Sequence, residues 1–347
     1  MTGWKLWLRR LVRVVAVAYP VGLLVAAIVM RAFGETPWMR VALYVPRVLF
    51  AAPLPFLVLA LALLRDWRFM LSQAAALLIL LFPLMGLVLP WPHFADRGQP
   101  VLRVMSYNVN GGGWGWDKVM AQVDELHPDV VMMQEVFTDT RWPVEMLKKR
   151  YPEAQASTQF IIASRYPIRQ VVDPPRLPVG DSRRSPRSIC YVIDTPLGPI
   201  AFYNVHPISP RQGMWTLRVG GFRSAIRNGT LFDADRSKRM ENDGHLLDLQ
   251  VELFADNAKK ETIPVIIGGD TNMTGLTPAL RHLSGFDDGF AKAGWGFGYT
   301  YPSGRKAWMR LDRIFASPSL RFVSFEVGKH HWASDHLAVV ADLQKRN

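Results

Sequence analysis

The chain has 347 residues, 41 Lys and Arg against 29 Asp and Glu, a formal net charge of +12 and a single cysteine. One cysteine excludes an internal disulfide framework, and no Cys/His spacing of a zinc site is present. Residues 1–99 carry ten Lys and Arg against three Asp and Glu, leaving thirty-one against twenty-six for the remainder, so more than half of the positive excess flanks apolar segments and basicity alone does not argue for nucleic acid.

Three apolar stretches come first, at about 14–33, 41–64 and 71–90, each near the ~20 residues that cross a bilayer core. They predict three transmembrane helices in a membrane domain over residues 1–92. Lys5, Arg9, Arg10 and Arg13 form a basic leader, but no small-residue cleavage site follows the first run and two more apolar segments do, which argues against a removed signal peptide. The middle stretch is the weakest of the three, because Arg47 lies within it and Pro46, Pro53 and Pro55 interrupt it. The leader, with Arg65 and Arg68 in the second loop, predicts a cytoplasmic amino terminus. Three crossings then place the remainder of the chain on the extracytoplasmic face of the cell membrane; with the middle stretch uncrossed it would face the cytoplasm.

A turn-rich linker over 93–100 leads into one α/β domain over 101–347. Its apolar runs are short and end in polar groups. The run 101–109 ends around Ser106-Tyr107-Asn108, and 130–133 runs into Gln134-Glu135. The run 200–205 delivers His206, and 263–267 delivers Asp270 and Asn272 through Gly268-Gly269. Leu311-Asp312-Arg313 and Ser334-Asp335-His336 come last. Short apolar runs bounded by turn residues are the signature of strands covered on both faces, and folding then gathers their polar tips at one edge. Carboxylate and amide oxygens are hard ligands suited to Mg2+, with Mn2+ also possible, and Glu135 is the first candidate to hold the ion. Asp312 is placed to fix His336 in one tautomer, and Asp270 with Asn272 to align water and phosphoryl oxygens. Cys190, inside the apolar run 189–193, reads as a buried small hydrophobe.

In this order the signatures resemble the endonuclease/exonuclease/phosphatase superfamily, whose fold is shared by deoxyribonuclease I, abasic-site endonucleases, inositol-polyphosphate 5-phosphatases and bacterial sphingomyelinases. The resemblance spans residues 101–343, with further echoes at Ser164-Arg165-Tyr166-Pro167 and Thr300-Tyr301-Pro302. It implies a four-layered α/β sandwich, two packed mixed β-sheets flanked by helices. It also implies metal-site positions at Asn108, Glu135 and Asp335, and a phosphate-contacting or leaving-group histidine at His206. Asp270 and Asn272 become the water-activating and phosphate-contacting pair, and Asp312 the carboxylate that orients His336.

Two stretches bear on the substrate. Arg183, Arg184 and Arg187 cluster before a strand, and Arg211, Trp215 and Arg218 follow His206; arginines fork onto phosphate oxygens, while Trp215 suits a headgroup interface. Trp114, close to Asn108, shapes a pocket mouth or packs locally. The leading expectation is a membrane-tethered, divalent-metal-dependent phosphoesterase that hydrolyses a lipid-linked phosphate or diphosphate, with the bilayer and a phosphorylated lipid as partners. In layout it is similar to bacterial proteins with three amino-terminal spans and this catalytic fold, including those linked to teicoplanin resistance and prenyl diphosphate hydrolysis. The alternatives are a membrane-anchored nuclease of the deoxyribonuclease I-like type and a catalytically inert membrane scaffold.

Overall fold

A computed structural model describes residues 3–34, 36–89, 98–137, 140–178, 187–209, 234–304, 306–329 and 332–346. The chain falls into two compact units, Met1–Leu87 with Gly275–Pro278, and Val88–Thr274 with Ala279–Asn347.

In the first unit, α1 (Gly3–Phe33) is a 31-residue apolar helix. Among the described residues two segments, Gly3–Phe33 and Trp67–Leu84, are long and apolar enough to cross a membrane, and only 22% of the apolar window of each is buried. Val14, Val21, Val25 and Ile28 on the first and Leu71 and Leu78 on the second face outward, an arrangement that water disfavours. The continuous helix expected over 41–64 is not formed. Its place is taken by α2 (Pro37–Tyr44), a 3-10 turn (Arg47–Ala51) and α3 (Pro53–Leu63), so the stretch expected to be the weakest of three transmembrane helices is a broken segment between two long ones. Proline supplies the reason: it lacks the N–H of the helical ladder and forces the preceding residue to extend, and Val45, before Pro46, has ψ of 141°. After a second 3-10 turn at Trp67–Phe69, α4 (Met70–Ile79) runs into a π-helical turn, Leu80–Leu84, around Pro83.

Polar contacts, partly or fully buried, fix the course of this unit. The Asp66 carboxylate accepts from Arg13 at 3.0 and 2.8 Å and from Arg9, the Tyr19 hydroxyl donates to the Phe50 carbonyl at 2.6 Å, and Arg47 Nη1 donates to the Leu84 carbonyl at 2.5 Å. α1 thus leads away from Arg9, the broken segment returns to set Asp66 beside Arg9, and α4 leads away again to bring Leu84 against Arg47.

The second unit holds β1 (Leu102–Asn108), α5 (Trp116–Leu126), β2 (Val130–Gln134), α6 (Arg141–Lys148), β3 (Glu153–Ser157), β4 (Phe160–Ser164), β5 (Ile168–Val172), β6 (Ser188–Thr195), β7 (Gly198–Val205), α7 (Ala234–Lys259), β8 (Val265–Asp270), β9 (Asp287–Asp288), α8 (Gly289–Ala293), β10 (Asp312–Ala316), β11 (Leu320–Val327) and β12 (Val339–Lys345). The strands form two six-stranded sheets, β11-β12-β1-β2-β4-β3 and β5-β6-β7-β8-β10-β9. Each sheet has one parallel pair, β1 with β2 and β7 with β8, among antiparallel neighbours.

Alternation along the strands sorts the side chains into three cores. Val104, Val130, Met132 and Ile162 of one sheet meet Ile189, Tyr191, Phe202 and Ile266 of the other. On the outer face of the first sheet Met105, Val131 and Met133 pack with Val119, Met120 and Val123 of α5. On the outer face of the second, Ala201, Tyr203 and Ile267 pack with Leu247, Val251 and Phe254 of α7. Both faces of each sheet are therefore covered, which is why the strands read as unbroken apolar runs, and the expected layered α/β sandwich is present. Gly269 is required by this packing: a Cβ there would be driven into the Val205 carbonyl of the neighbouring strand. Cys190 is free and buried, and burial pushes its thiol pKa up to about 12, which fits a packing role.

A polar bracket joins the sheets beneath the strand ends. Gln134 Nε2 donates to Asn204 Oδ1 at 2.7 Å, and Asn204 Nδ2 donates to the carbonyls of Met133 and Ile161 at 3.1 and 3.2 Å. Each amide adjoins a functional position, Gln134 next to Glu135 and Asn204 two residues before His206, so the bracket sets one sheet against the other where the chemistry lies.

Candidate active site

Pairing register brings the polar tips together. Asn108 lies opposite Gln134, Asp270 opposite Asp312 and Val205 opposite Gly269. The carboxyl ends of β1, β2, β7 and β8 therefore share an edge with the amino ends of β10 and β12. Ser334 ties the last of these in, donating to the Asn108 carbonyl at 2.7 Å and accepting from the His336 amide at 3.2 Å.

Asp270, 1% exposed, is the centre. Its Oδ2 accepts from Asn108 Nδ2 at 3.1 Å and its Oδ1 from the Asn272 amide at 2.9 Å. Both histidines approach Oδ2 with Nε2, His336 at 3.5 Å and His206 at 3.8 Å. His206 Nε2 also lies 3.2 Å from Glu135 Oε1. His336 Nδ1 meets Asp312 Oδ2 at 2.8 Å, as the sequence predicts, and the Tyr301 ring lies 4.7 Å from the imidazole. Glu135 and Asn272 both have left-handed backbones, with φ of 60° and 52°, a conformation that costs free energy for residues other than glycine and concentrates at functional sites.

The electrostatics separate the acidic groups. Burial works to raise the Glu135 carboxyl, but the hydrogen bond and charge of His206, helped by Asn108 and His336, hold it at about 2. Burial likewise opposes a charged His336, yet Asp312 and Asp270, with Asp335 further off, lift it to about 10. Burial raises the Asp312 carboxyl against the opposing charge of His336. The site is thus a fully ionised Glu135 facing an imidazolium held by buried carboxylates.

Among the described residues two groups present donor atoms within 4.8 Å of one another: Glu135, His206 and Asp270, and Asp270, Asp312 and His336. The first fits a hard divalent cation, because Glu135 is held ionised and Asp270 adds a second carboxylate. Asn108 adjoins it through Asp270, although as placed its Oδ1 accepts from the Asn110 amide at 3.0 Å. Asp335, expected as a further metal position, belongs to neither group; its carbonyl accepts from the Ser303 amide at 2.7 Å.

Of the residues expected to bind substrate, Arg183, Arg211, Trp215 and Arg218 lie outside the described residues. Arg187 is described, and its carbonyl accepts from the His206 amide at 2.8 Å, which places its backbone at the site. Sequence reasoning missed Gln159, whose Oε1 lies 2.7 Å from His206 Nδ1, and the role of Thr300, whose hydroxyl oxygen accepts from the Leu311 and Asp312 amides at 3.2 and 3.3 Å. The Thr300-Tyr301-Pro302 echo was the available signal for the second; the first has none, since Gln159 sits in a turn outside every signature.

The model of the Endonuclease/Exonuclease/phosphatase family matches residues 105–336. No curated protein matches the chain. Among solved structures, the chain is similar to an endonuclease/exonuclease/phosphatase from Beutenbergia cavernae DSM 12333, at 18% identity over 71% of this chain and 72% of that one with a TM-score of 0.50. It is also similar to the 3'-5' exonuclease NExo from Neisseria meningitidis, at 18% identity over 69% and 98% with a TM-score of 0.50. Humanized D. rerio TDP2 gives 16% identity over 71% and 99%, again with a TM-score of 0.50. At these identities the likeness is one of fold. The family match runs from β1 to His336 and takes in each of the converging strand tips, so the chain belongs to the endonuclease/exonuclease/phosphatase family and is a metal-dependent phosphoester hydrolase.

Proposed function

We propose that this hydrolase is tethered to the cell membrane and cleaves a lipid-linked phosphate or diphosphate at the extracytoplasmic face. The observation that carries the reading is the presence, in one chain, of the acidic and histidine edge and of two helices long and apolar enough to cross a membrane with most of their apolar surface turned outward. Tethering confines the site near the bilayer and raises its effective concentration there. Three exposed aromatics support a lipid surface over a solute. Trp114, Phe137 and Trp332 are 41%, 63% and 59% exposed, and they lie on the segments that follow β1, follow β2 and precede β12, the ends that carry the site. Exposed Trp and Phe suit a headgroup boundary.

The orientation draws on the contacts of the first unit. Asp66 beside Arg9 and Leu84 against Arg47 support a reading in which the broken middle segment traverses the unit although it is not one helix, for three passes in all. The basic end that carries Arg9, Arg10 and Arg13 then faces the cytoplasm, and Leu84 leads out on the other side. Reporter fusions placed after Pro100 should be active only with an extracytoplasmic reporter; activity only in the cytosol would reverse the orientation.

Within the site, Glu135 and Asp270, with Asn108 alongside, would hold Mg2+ or Mn2+, which when bound neutralises phosphoryl oxygen charge. The chain's own groups do the rest. His336, kept charged by Asp312, offers Nε2–H to a phosphoryl oxygen. Asp270 aligns water and accepts its proton, with Oδ1 steadied by the Asn272 amide. His206 Nε2 faces the same space from the second sheet and is set to serve the leaving oxygen.

The test is a panel: purified chain in detergent, with magnesium or a chelator, offered prenyl diphosphate, phosphatidic acid, sphingomyelin, a phosphoinositide and plasmid DNA. Magnesium-dependent release of phosphate from a lipid phosphate or diphosphate is expected. Nicked plasmid without lipid turnover would replace this reading with a membrane-anchored nuclease.

A further inference from the structure

The two histidines of the site are backed differently. His336 leans on a carboxylate, Asp312, whereas His206 leans on a neutral amide, Gln159. Gln159 is 1% exposed and follows Thr158, whose φ is 56°, in the turn between β3 and β4. It holds two parts of the site at once. Its carbonyl accepts from the Val136 amide at 3.0 Å, next to Glu135, and its side chain meets His206 Nδ1 at 2.7 Å. His206, 6% exposed, is fixed at its own amide by the Arg187 carbonyl, but an imidazole can still turn about its Cβ–Cγ bond. The Gln159 contact keeps Nδ1 inward and so aims Nε2 at the gap between Glu135 Oε1 and Asp270 Oδ2, 3.2 and 3.8 Å away.

We propose that Gln159 is a positioning residue for phosphoester hydrolysis, acting through His206 by holding its Nε2 toward the reacting phosphate. An amide suits the task where a carboxylate does not. It can accept from Nδ1–H or, with its ends exchanged, donate to an unprotonated Nδ1, so it keeps its grip on the ring in either tautomer. It also adds no negative charge to a pocket that already contains Glu135, Asp270 and Asp312. Second-layer partners of this kind hold functional imidazoles to one orientation, and their loss typically costs about 10–100-fold.

The inference rests on the chain being a phosphoesterase and not on the substrate being a lipid. Its test is a double-mutant cycle on the full chain in detergent with magnesium, using whichever phosphoester of the panel the parent hydrolyses. Gln159→Leu is close in size and offers the ring no partner. It is expected to lower kcat about 10–100-fold with KM within about twofold of the parent. In a His206→Ala background the same change should cost nothing further, because the group it positions is gone. A kcat within twofold of the parent, or an equal loss in both backgrounds, would overturn the role of Gln159 while leaving the phosphoesterase reading intact. Failure of the parent on every phosphoester would remove both. If Gln159→Leu does not fold, as judged by its thermal transition, Gln159→Met replaces it in the same cycle with the same outcomes.

Discussion

Replacing His336 by alanine should lower kcat by about 10³-fold or more, in the range of losses seen when a charged hydrogen-bond donor or acid–base group is removed from a reacting centre. The ring is 4% exposed, its Nδ1 lies 2.8 Å from Asp312 and its Nε2 is 3.5 Å from Asp270. It is thus a cationic group held between two buried carboxylates. Its removal takes that counter-charge from Asp312 and Asp270, so stability should fall as well. The same contacts set a pH dependence. His336 titrates near 10 in the folded chain against 6.5 for an ordinary imidazole. A group raised on folding contributes fully below its unfolded value, and that contribution drains away as pH rises through the folded value. Without added metal, the thermal transition of the parent should therefore drop progressively between about pH 6.5 and 10, and His336→Ala should lack that component. Full turnover by the variant would remove the catalytic role; identical pH slopes would remove the electrostatic one.

The site is legible in the sequence because its residues share a physical constraint. A strand covered on both faces must be apolar along its length, so a polar residue at its tip stands out, and Asn108, Glu135, His206 and Asp270 each stand out that way. Asp312 and His336 pair through their place in the family pattern, and their side chains lie 2.8 Å apart. Support delivered from turns lies beyond such reading. Gln159 meets His206 across a sequence separation of 47 residues, and nothing in the chemistry of a Thr-Gln turn announces which residue it will face. Gln134 and Asn204 are visible as motif letters, but their bracing of two sheets depends on how the sheets stack, a property of packing.

The amino-terminal unit departs from its sequence reading in the opposite direction. A hydropathy window sums transfer free energies and passes the stretch 41–64 as one span, whereas its prolines act on backbone geometry, which the sum does not see. Arg47 shows the same point. A buried cation inside an apolar stretch argues against insertion until the helix-terminal carbonyl of Leu84, at 2.5 Å, gives it a partner.

Glu135→Gln should separate metal binding from folding. The substitution keeps size and hydrogen-bonding shape but removes the charge that His206 and His336 hold in place. Glu135 titrates at about 2 against an ordinary 4.5, so its electrostatic contribution is present above about pH 4.5 and is lost as pH falls through about 2. A ligand that binds only the folded chain at about 100 times its Kd adds about 2.7 kcal/mol of stability. Magnesium at that level should raise the thermal transition of the parent and leave Glu135→Gln almost unmoved, while kcat of the variant falls by about 10²-fold or more. An equal magnesium shift in both proteins would take Glu135 out of the metal site, because the remaining donors would then hold the ion unaided. If the shift is lost while turnover persists, the ion instead serves the fold, and the chemistry rests on Asp270 and the two histidines.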